Sequence, residues 1–422
     1  MDDSYLIKLI REDMRPALGC TEPGIIALAS AKAAECAAGK IRSVNVYVNA
    51  GIYKNAYTCG IPGTDVTGNQ YAAALGALCG DARRHLTALS SITSKDVEKA
   101  AALIKEDKVH VTMTDIRSSL YVNAVVEGEE GTGEARIEGD HTFFTFIRKD
   151  SKILHRADYK SSEKNADSLM GIKFSEFRRF ADSVEYGKIR FIEEAVNTNR
   201  RLVQKGREWD RCTITQSLIK QKQDRTVIDT CAAIEARFLG AGEPAMSITG
   251  SGAHGLMCTV PLICEAKKYR IDSERLIRAI VLSFLITMYV KECSGKLSAF
   301  CGCGIAGGLG VAYALPYLMG EDVRVSEFAF NNMTSSITGM LCTGGNQACA
   351  LRGVAAVQAV LTSVLIAREG VSVKAPTGIL GESVEKTAEN VGLIADPGMI
   401  KTDEVILSIL REKDRGLQDY II

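Results

Sequence analysis

The chain has 422 residues, of which 46% are hydrophobic and 24% are charged, a composition typical of a globular protein with two or three domains. Lysine plus arginine and aspartate plus glutamate both number 51, and this balance argues against a nucleic-acid or anionic-membrane surface. The most apolar run, residues 279–290, is shorter than the ~20 residues that span a bilayer. We therefore expect a buried helix there and no membrane segment.

Thirteen cysteines occur in a chain whose acidic N-terminus does not resemble an export signal. This combination is typical of a reducing compartment, in which thiols stay free for metal binding or catalysis. An odd number also excludes a complete disulfide framework. We expect a cytoplasmic protein.

The first part of the chain, residues 1–155, is predicted to form a small α+β domain. Apolar residues at helical spacing predict helices at 4–15, 24–38, 70–79 and 94–105. Alternating apolar residues predict strands at 44–48, 109–113, 120–126, 135–137 and 142–147. The polar, charged stretch 149–165 is predicted to be a linker.

Strand signals nearly vanish after the linker, so residues 165–422 are predicted to form a mainly α-helical domain. Its apolar-periodic segments are 174–204, 213–238, 273–292, 304–319, 325–340, 351–369 and 403–413. The predicted fold is thus an α+β N-terminal domain followed by a mainly α-helical domain, in which most of the candidate chemistry lies.

The first candidate is Cys20, which directly precedes the predicted alanine-rich helix. Thr21 is a plausible N-cap residue, with Glu22 and Pro23 in the first turn. A cysteine beside a helix N-terminus is expected to have a lowered thiol pKa, which suits a proton acceptor. The alternative is a buried structural cysteine beside a capping motif.

A loop rich in glycine and proline follows at residues 51–64. Lys54 and Asn55 in this loop could anchor a substrate carboxylate. A plain connecting loop is the alternative interpretation.

Glycine and hydroxyl side chains alternate over residues 246–255, a pattern that can form a backbone nest for a carboxylate or phosphate. Thr249, Ser251 and Gly252 are therefore candidates for substrate binding. His254 lies in the same segment. It is a candidate general acid or hydrogen-bond donor to the substrate, and the alternative is a structural role. Neither a P-loop ending nor a clean dinucleotide-binding glycine motif is present, so nucleotide binding is not supported.

Two cysteine pairs in the C-terminal third stand among glycines and small polar residues. Cys301 and Cys303 form a Cys-x-Cys pair, and Cys342 and Cys349 form a Cys-x6-Cys pair. Thiolates select zinc, copper(I) or iron–sulfur clusters, but the spacing does not match common structural zinc knuckles. Three thiolates on a [4Fe–4S] cluster would leave one iron free for substrate. The alternative is four small residues at tight helix crossings.

Several of these segments together resemble the iron–sulfur L-cysteine desulfidases, a family related to the alpha part of the oxygen-sensitive bacterial L-serine dehydratases. The segments that carry the resemblance are 19–23, 54–55, 60–64, 249–255, 300–303 and 342–345. They occur in order over almost the whole chain, and their combination is specific although each motif alone is not.

The resemblance implies a lyase of amino-acid catabolism that uses a [4Fe–4S] cluster instead of pyridoxal phosphate. By position, Cys301, Cys342 and Cys349 match the family's cluster ligands, with Cys303 as an alternative to Cys301. Cys20 matches its proton acceptor. The segment 249–255 would then orient the carboxylate of the substrate.

The expected reaction converts L-cysteine to pyruvate, ammonia and sulfide. Cysteine is favoured over serine because a thiol's pKa is about 8.5, whereas that of bulk water is about 15.7, so thiolate leaves more readily than hydroxide. An L-serine dehydratase with the same machinery is one alternative, and a non-enzymatic iron–sulfur or zinc sensor is another. The expected partner is a small amino acid, and a homo-oligomer is left open.

Overall fold

The computed structural model describes residues 3–114, 120–158, 168–295 and 298–419, with side chains described as far as residue 413. An N-terminal α/β region with a mixed sheet precedes a helical C-terminal region. This arrangement confirms the predicted order of an α-and-β part followed by a mainly helical part.

The α/β region begins with helices and single strands in turn, continues with three consecutive helices and ends with five consecutive strands. They are α1 (Asp3–Asp13), β1 (Arg15–Leu18), α2 (Thr21–Ala37), β2 (Ile41–Val48), α3 (Ala50–Ala56), α4 (Asn69–Cys79), α5 (Ser94–Lys105), β3 (Val109–Met113), β4 (Tyr121–Gly128), β5 (Thr132–Glu138), β6 (Phe144–Lys149) and β7 (Lys152–Arg156).

The helical region contains a single short strand among its described elements. They are α6 (Phe174–Ser183), α7 (Tyr186–Ile189), α8 (Glu193–Glu208), α9 (Thr213–Lys220), α10 (Arg225–Phe238), β8 (Pro244–Ser247), α11 (Gly252–Tyr269), α12 (Ser273–Ser294), α13 (Gly308–Leu318), α14 (Val323–Ile337), α15 (Ala348–Arg368), α16 (Val384–Leu393) and α17 (Ile400–Asp419).

The main sheet has the strand order β3-β2-β4-β5-β6-β7, with β2 and β3 parallel and the other neighbours antiparallel. Val44, Val46 and Val48 of β2 alternate and are buried, as their spacing predicts. Helix α2 packs closely on this face: a Cβ at Gly133 of β5 would lie 1.9 Å from the carbonyl oxygen of Ala33. Only glycine fits at that contact.

Two of the sequence-based expectations for loops are wrong. The first part of the predicted linker, up to residue 158, contains β7, whose side chains are all exposed. The two apolar residues of this strand, Ile153 and Leu154, are adjacent in the sequence and both exposed, so the strand lacks the apolar alternation that predicts a half-buried strand. Residues 159–165 of that linker lie outside the described residues. Residues 51–56 of the predicted loop 51–64 belong instead to the buried helix α3.

Strands β1 and β8 form a separate antiparallel pair that joins the two regions, with Arg15 opposite Ser247. Helix α2 begins shortly after β1, and α11 begins shortly after β8. This pair therefore positions the N-termini of two long helices.

The buried apolar side chains form two clusters. One lies between the main sheet and α2 and α4, and Leu407 of α17 reaches it from the C-terminal end of the chain. The other fills the helical region and includes Leu6, Leu9 and Ile10 of α1. The ends of the chain thus pack against opposite regions. The domain boundaries at 1–155 and 165–422 stay a prediction.

Residues 279–290 lie within α12 and are buried apart from the half-buried Met288, so the predicted core helix is confirmed. By length and composition alone, α15 could cross a membrane, since its most apolar window has a mean hydropathy of 1.8. It packs against α10, α13 and α14 and buries 44% of that window. These contacts fit a helix of the protein core.

Candidate active site

The two cysteine loops meet through a short antiparallel bridge between Phe300 and Leu341. The backbone N–H of Cys301 donates to the carbonyl of Met340 at 2.8 Å, and that of Cys342 donates to the carbonyl of Ala299 at 2.8 Å. Cys301 and Cys342 are therefore held side by side, although 41 positions separate them in the sequence.

The Cys301 thiol is buried, and burial together with the nearby Cys342 raises its pKa to about 11. The backbone N–H of Gly304 donates to its sulfur at 3.4 Å and acts in the opposite direction. A backbone N–H aimed at sulfur stabilises a thiolate, as it does around metal-bound cysteines.

Cys349 lies at the start of α15, where Nη1 of Arg352 donates to its sulfur at 3.1 Å. Burial raises the pKa of this thiol, Arg352 lowers it, and the neighbouring Cys301 and Cys342 raise it further. The three predicted ligand cysteines thus lie within electrostatic reach of one another, with a guanidinium beside them.

Cys303 has different surroundings from Cys301. Its thiol donates to the carbonyl of Ala253 at 3.3 Å, at the start of α11. It begins a π-helical turn, Cys303–Gly307, in which the N–H of Gly307 donates to the carbonyl of Gly302 at 3.1 Å. Single π turns occur often at functional sites because they shift the register of a helix locally.

Among the residues that the structure describes, no group of three or more His, Cys, Asp or Glu side chains is close enough together to hold a single metal ion. A four-iron cluster is bulkier than an ion, so its ligands stand farther apart. Three soft thiols on two adjoining loops, with N–H donors from Gly304 and Arg352 aimed at sulfur, fit the ligands of an iron–sulfur cluster.

Cys20 lies next to the second cysteine loop. A Cβ added to Gly345 would be 3.0 Å from its sulfur, and the N–H of Gly345 donates to the carbonyl of Asn55 at 3.1 Å. The loop that carries Cys342 therefore covers both the start of α2 and the end of α3. This contact brings the predicted base to the predicted ligands.

Two expectations about the Cys20 segment are wrong. The helix begins at Thr21, and Cys20 itself occupies the N-cap position without a side-chain cap bond. The pKa of Cys20 is raised well above its ordinary value, first by a hydrogen bond with the Cys59 thiol and then by burial, Cys59 and Glu22. Arg237 lowers it, but these other effects outweigh both Arg237 and the helix N-terminus.

Lys54 and Asn55 lie on α3 and are both engaged. Lys54 is buried and forms an ion pair with Asp403 of α17. The side-chain amide of Asn55 donates to Glu22 at 3.0 Å, and its carbonyl oxygen accepts from the Cys342 thiol at 3.7 Å. Asn55 thus connects the Cys20 segment to the second cysteine loop.

Residues 248–251 form a tight turn in which Ile248 and Ser251 exchange backbone hydrogen bonds. Thr249 and Gly250 at its centre have φ of 54° and 72°, as in a type I′ turn. The N–H of Thr249 donates to the carboxylate of Asp13, so an acid of α1 occupies this part of the predicted nest.

His254 is buried in the first turn of α11. The Thr249 hydroxyl donates to the carbonyl of Ile248 at 2.7 Å and contacts Nδ1 of His254, which assigns the imidazole proton to Nδ1. A Cβ at Gly302 would be 2.5 Å from Nε2, so this nitrogen faces the first cysteine loop. The pKa of His254 is held well below its usual range by burial and by the charges of Lys291 and Arg237, so the ring is neutral.

Sequence reasoning missed three cationic side chains around the site. Arg237, on the last turn of α10, is 1% exposed, and its Nη1 lies 3.8 Å from the Cys20 sulfur. Lys291 of α12 is buried, which lowers its pKa to about 8. Arg352 is the partner of Cys349. Charged residues inside otherwise apolar helical stretches were the available signal for Arg237 and Lys291.

The residues at this site fit an iron–sulfur centre. Comparison with known families shows to which protein family the chain belongs. The family model described as serine dehydratase alpha chain matches residues 83–408. The chain belongs to this family, which confirms the resemblance found in its sequence.

Relatives that match the chain over nearly its full length are UPF0597 proteins. A UPF0597 protein of Clostridium botulinum is 38% identical over 98% of this chain and 100% of the relative. UPF0597 proteins of Clostridioides difficile and Clostridium perfringens are 33% and 32% identical, over 97% and 99% of this chain and the full length of each relative.

Proposed function

We propose that the chain is a lyase that removes the β-substituent of a small amino acid with the help of a [4Fe–4S] cluster, and that L-cysteine is its preferred substrate. The observation that carries the proposal is the position of Cys20 against Gly345, in the loop between Cys342 and Cys349. A candidate base and three candidate ligands, remote in sequence, converge there. A non-enzymatic cluster protein would not need this convergence.

Cys301, Cys342 and Cys349 would hold the cluster. Cys301 is preferred over Cys303 because its backbone pairs beside that of Cys342 and its sulfur accepts an N–H bond from Gly304. When bound, the cluster supplies a Lewis-acidic iron that stabilises the negative charge of the leaving group.

The chain's own residues perform the proton transfer. Cys20, as thiolate, takes the α-proton, and Arg237 at 3.8 Å is the cation that stabilises that thiolate. His254, neutral and protonated at Nδ1, offers the lone pair of Nε2 as a hydrogen-bond acceptor beside the first cysteine loop. Loss of the α-proton and the β-substituent of L-cysteine gives aminoacrylate and sulfide, and water converts aminoacrylate to pyruvate and ammonia.

L-Serine is a second candidate substrate, because the matching family model is named for serine dehydratase. Cysteine is preferred since thiolate is the better leaving group and iron tolerates sulfur. We place the reaction in the cytoplasm, where the many free thiols of the chain remain reduced.

An anaerobic assay tests the proposal. Reconstituted protein should be brown and should release pyruvate, ammonia and sulfide from L-cysteine, and should release pyruvate and ammonia more slowly from L-serine. Protein treated with a chelator should be inactive on both. A colourless zinc protein that is inert to both amino acids would end the proposal.

A further inference from the structure

Arg237 is the starting point, because its charge is buried without adequate partners. Its side chain is 1% exposed, and its Nε and Nη2 atoms form no hydrogen bond in the described structure. The near contacts of the guanidinium are the Cys20 sulfur at 3.8 Å and the ring of Phe238 at 5.0 Å. Buried N–H groups are nearly always satisfied, so two free ones on a single cation indicate a missing ligand.

The surroundings of Arg237 favour an anion. Cys20 is the N-cap residue of α2, and Gly252, the first residue of α11, is so close that a Cβ there would lie 2.5 Å from Nε. The guanidinium therefore lies against the N-termini of two helices of 17 and 18 residues. A helix N-terminus carries partial positive charge and free N–H groups, which add to the attraction for an anion.

The carboxylate anchors that the sequence suggested are already engaged. The Lys54 ammonium pairs with Asp403, and the N–H of Thr249 donates to Asp13. Among the residues that the structure describes, no acid pairs with Arg237. Nε together with Nη2 is one of the two edges through which a guanidinium binds a carboxylate with two parallel hydrogen bonds.

We propose that Arg237 binds the α-carboxylate of the amino-acid substrate through Nε and Nη2, and that Gly252 leaves the space in which this contact forms. The inference rests on the proposed function and identifies the group that recognises an α-amino acid. A carboxylate bound there would bring the adjacent α-carbon next to the Cys20 sulfur, where the α-proton is removed.

A competing role is that Arg237 only stabilises the Cys20 thiolate. The two roles differ in what they predict for ligands that cannot react. L-Alanine has the carboxylate and ammonium but no β-leaving group, whereas L-alaninamide lacks the carboxylate. Carboxylate binding by Arg237 predicts that the protein distinguishes these two compounds, and thiolate stabilisation alone does not.

The experiment compares Arg237→Met and Arg237→Lys with Arg225→Met. Arg225 lies on the same helix, but its side chain is exposed and paired with Asp229. The midpoint of thermal unfolding is measured anaerobically on the holoprotein with each ligand. L-Alanine should stabilise the parent and Arg225→Met more than L-alaninamide does. Arg237→Met should lose this preference, and Arg237→Lys should keep part of it.

Kinetic and stability measurements on the same variants separate binding from a structural role. Arg237→Met should raise KM for L-cysteine by about 10- to 100-fold, the loss expected for charged hydrogen bonds. Without ligand it should unfold at the same or a higher temperature than the parent, because an unpaired buried charge has been removed. A purely structural arginine would give a lower unfolding temperature instead.

Gly252→Ala provides a variant that keeps the guanidinium. Its Cβ would displace Nε and should raise KM in the same direction as Arg237→Met. The inference is overturned if the parent does not prefer L-alanine to L-alaninamide, or if Arg237→Met retains that preference and the parent's KM. If the parent prefers L-alanine to L-alaninamide but eliminates nothing from L-cysteine or L-serine, Arg237 is the carboxylate-binding residue and the proposed reaction is wrong. If Arg237→Met still eliminates sulfide from L-cysteine with the parent's KM, the proposed reaction stands and carboxylate binding by Arg237 is refuted.

Discussion

The α/β region and the helical region each bury a cationic side chain, but the two side chains differ in whether an acid is paired with them. In the α/β region, Lys54 is 2% exposed and is paired with Asp403 from the last helix of the chain. In the helical region, Arg237 is equally buried, yet two of its nitrogens have no partner among the described residues. The first charge holds the structure together, and the second is available to a ligand. Burial alone therefore does not mark a functional cation, and it is the lack of partners for Arg237 that points to a ligand.

The largest expected effect separates ligand cysteines from structural ones. Cys342→Ala should lose the visible iron–sulfur absorbance and the bound iron after reconstitution, because one of three thiolates is missing. Cys36→Ala, on α2 and away from the cysteine loops, should keep both. Iron content in Cys342→Ala equal to that of the parent would refute the assignment of this loop.

Replacement of Cys20 should remove the chemistry but not the cluster. Cys20→Ala should keep its iron and sulfide and lose turnover by roughly 10²–10⁴-fold, the usual contribution of a general base. Iron analysis and pyruvate release are measured on the same sample. If iron is lost as well, Cys20 is a ligand and the proposed role is wrong.

The Lys54–Asp403 pair should matter for stability. Asp403→Asn leaves the buried Lys54 ammonium uncompensated and should lower the free energy of unfolding by about 3 kcal/mol. Glu35→Gln, which removes the exposed partner of Lys32, is the matched control and should change it by less than about 1 kcal/mol. Urea unfolding monitored by circular dichroism measures both. If Asp403→Asn and Glu35→Gln lower the free energy of unfolding by the same amount, the buried Lys54 ammonium does not depend on Asp403 and the contrast with Arg237 fails.

A change in pH profile is the smallest predicted effect. Because the pKa of Cys20 is raised, its thiolate fraction grows as the pH rises, so kcat/KM should increase through the alkaline range. Arg237 lowers that pKa, so Arg237→Met should move the rising limb to higher pH. A profile that is flat from neutral to alkaline pH would contradict a thiol base with these surroundings.

Features that depend on residues close together in the sequence could be predicted. Alternating valines predicted β2, and the apolar stretch 279–290 predicted the buried part of α12. The glycine-flanked cysteines predicted the two loops that meet at Phe300 and Leu341. In each case the signal is local, because the period or the motif lies within one element.

Pairings between distant parts of the chain could not be predicted in this way. Lys54 and Asp403 are 349 positions apart, and Cys20 and Arg237 are 217 apart. The lowered thiol pKa expected from the helix N-terminus is also wrong, because the hydrogen bond with Cys59 and the burial that raise the pKa of Cys20 exist only in the folded protein. The balance of charge around a buried group is a tertiary property.

The oxygen sensitivity of the activity tests the central claim most directly, because an iron that is open to substrate is also open to oxygen. We predict that activity decays in air, that L-cysteine slows the decay with a saturable dependence on its concentration, and that ferrous iron with a reductant restores activity. Full activity retained in air after chelation and desalting would contradict the account, whichever amino acid is the substrate.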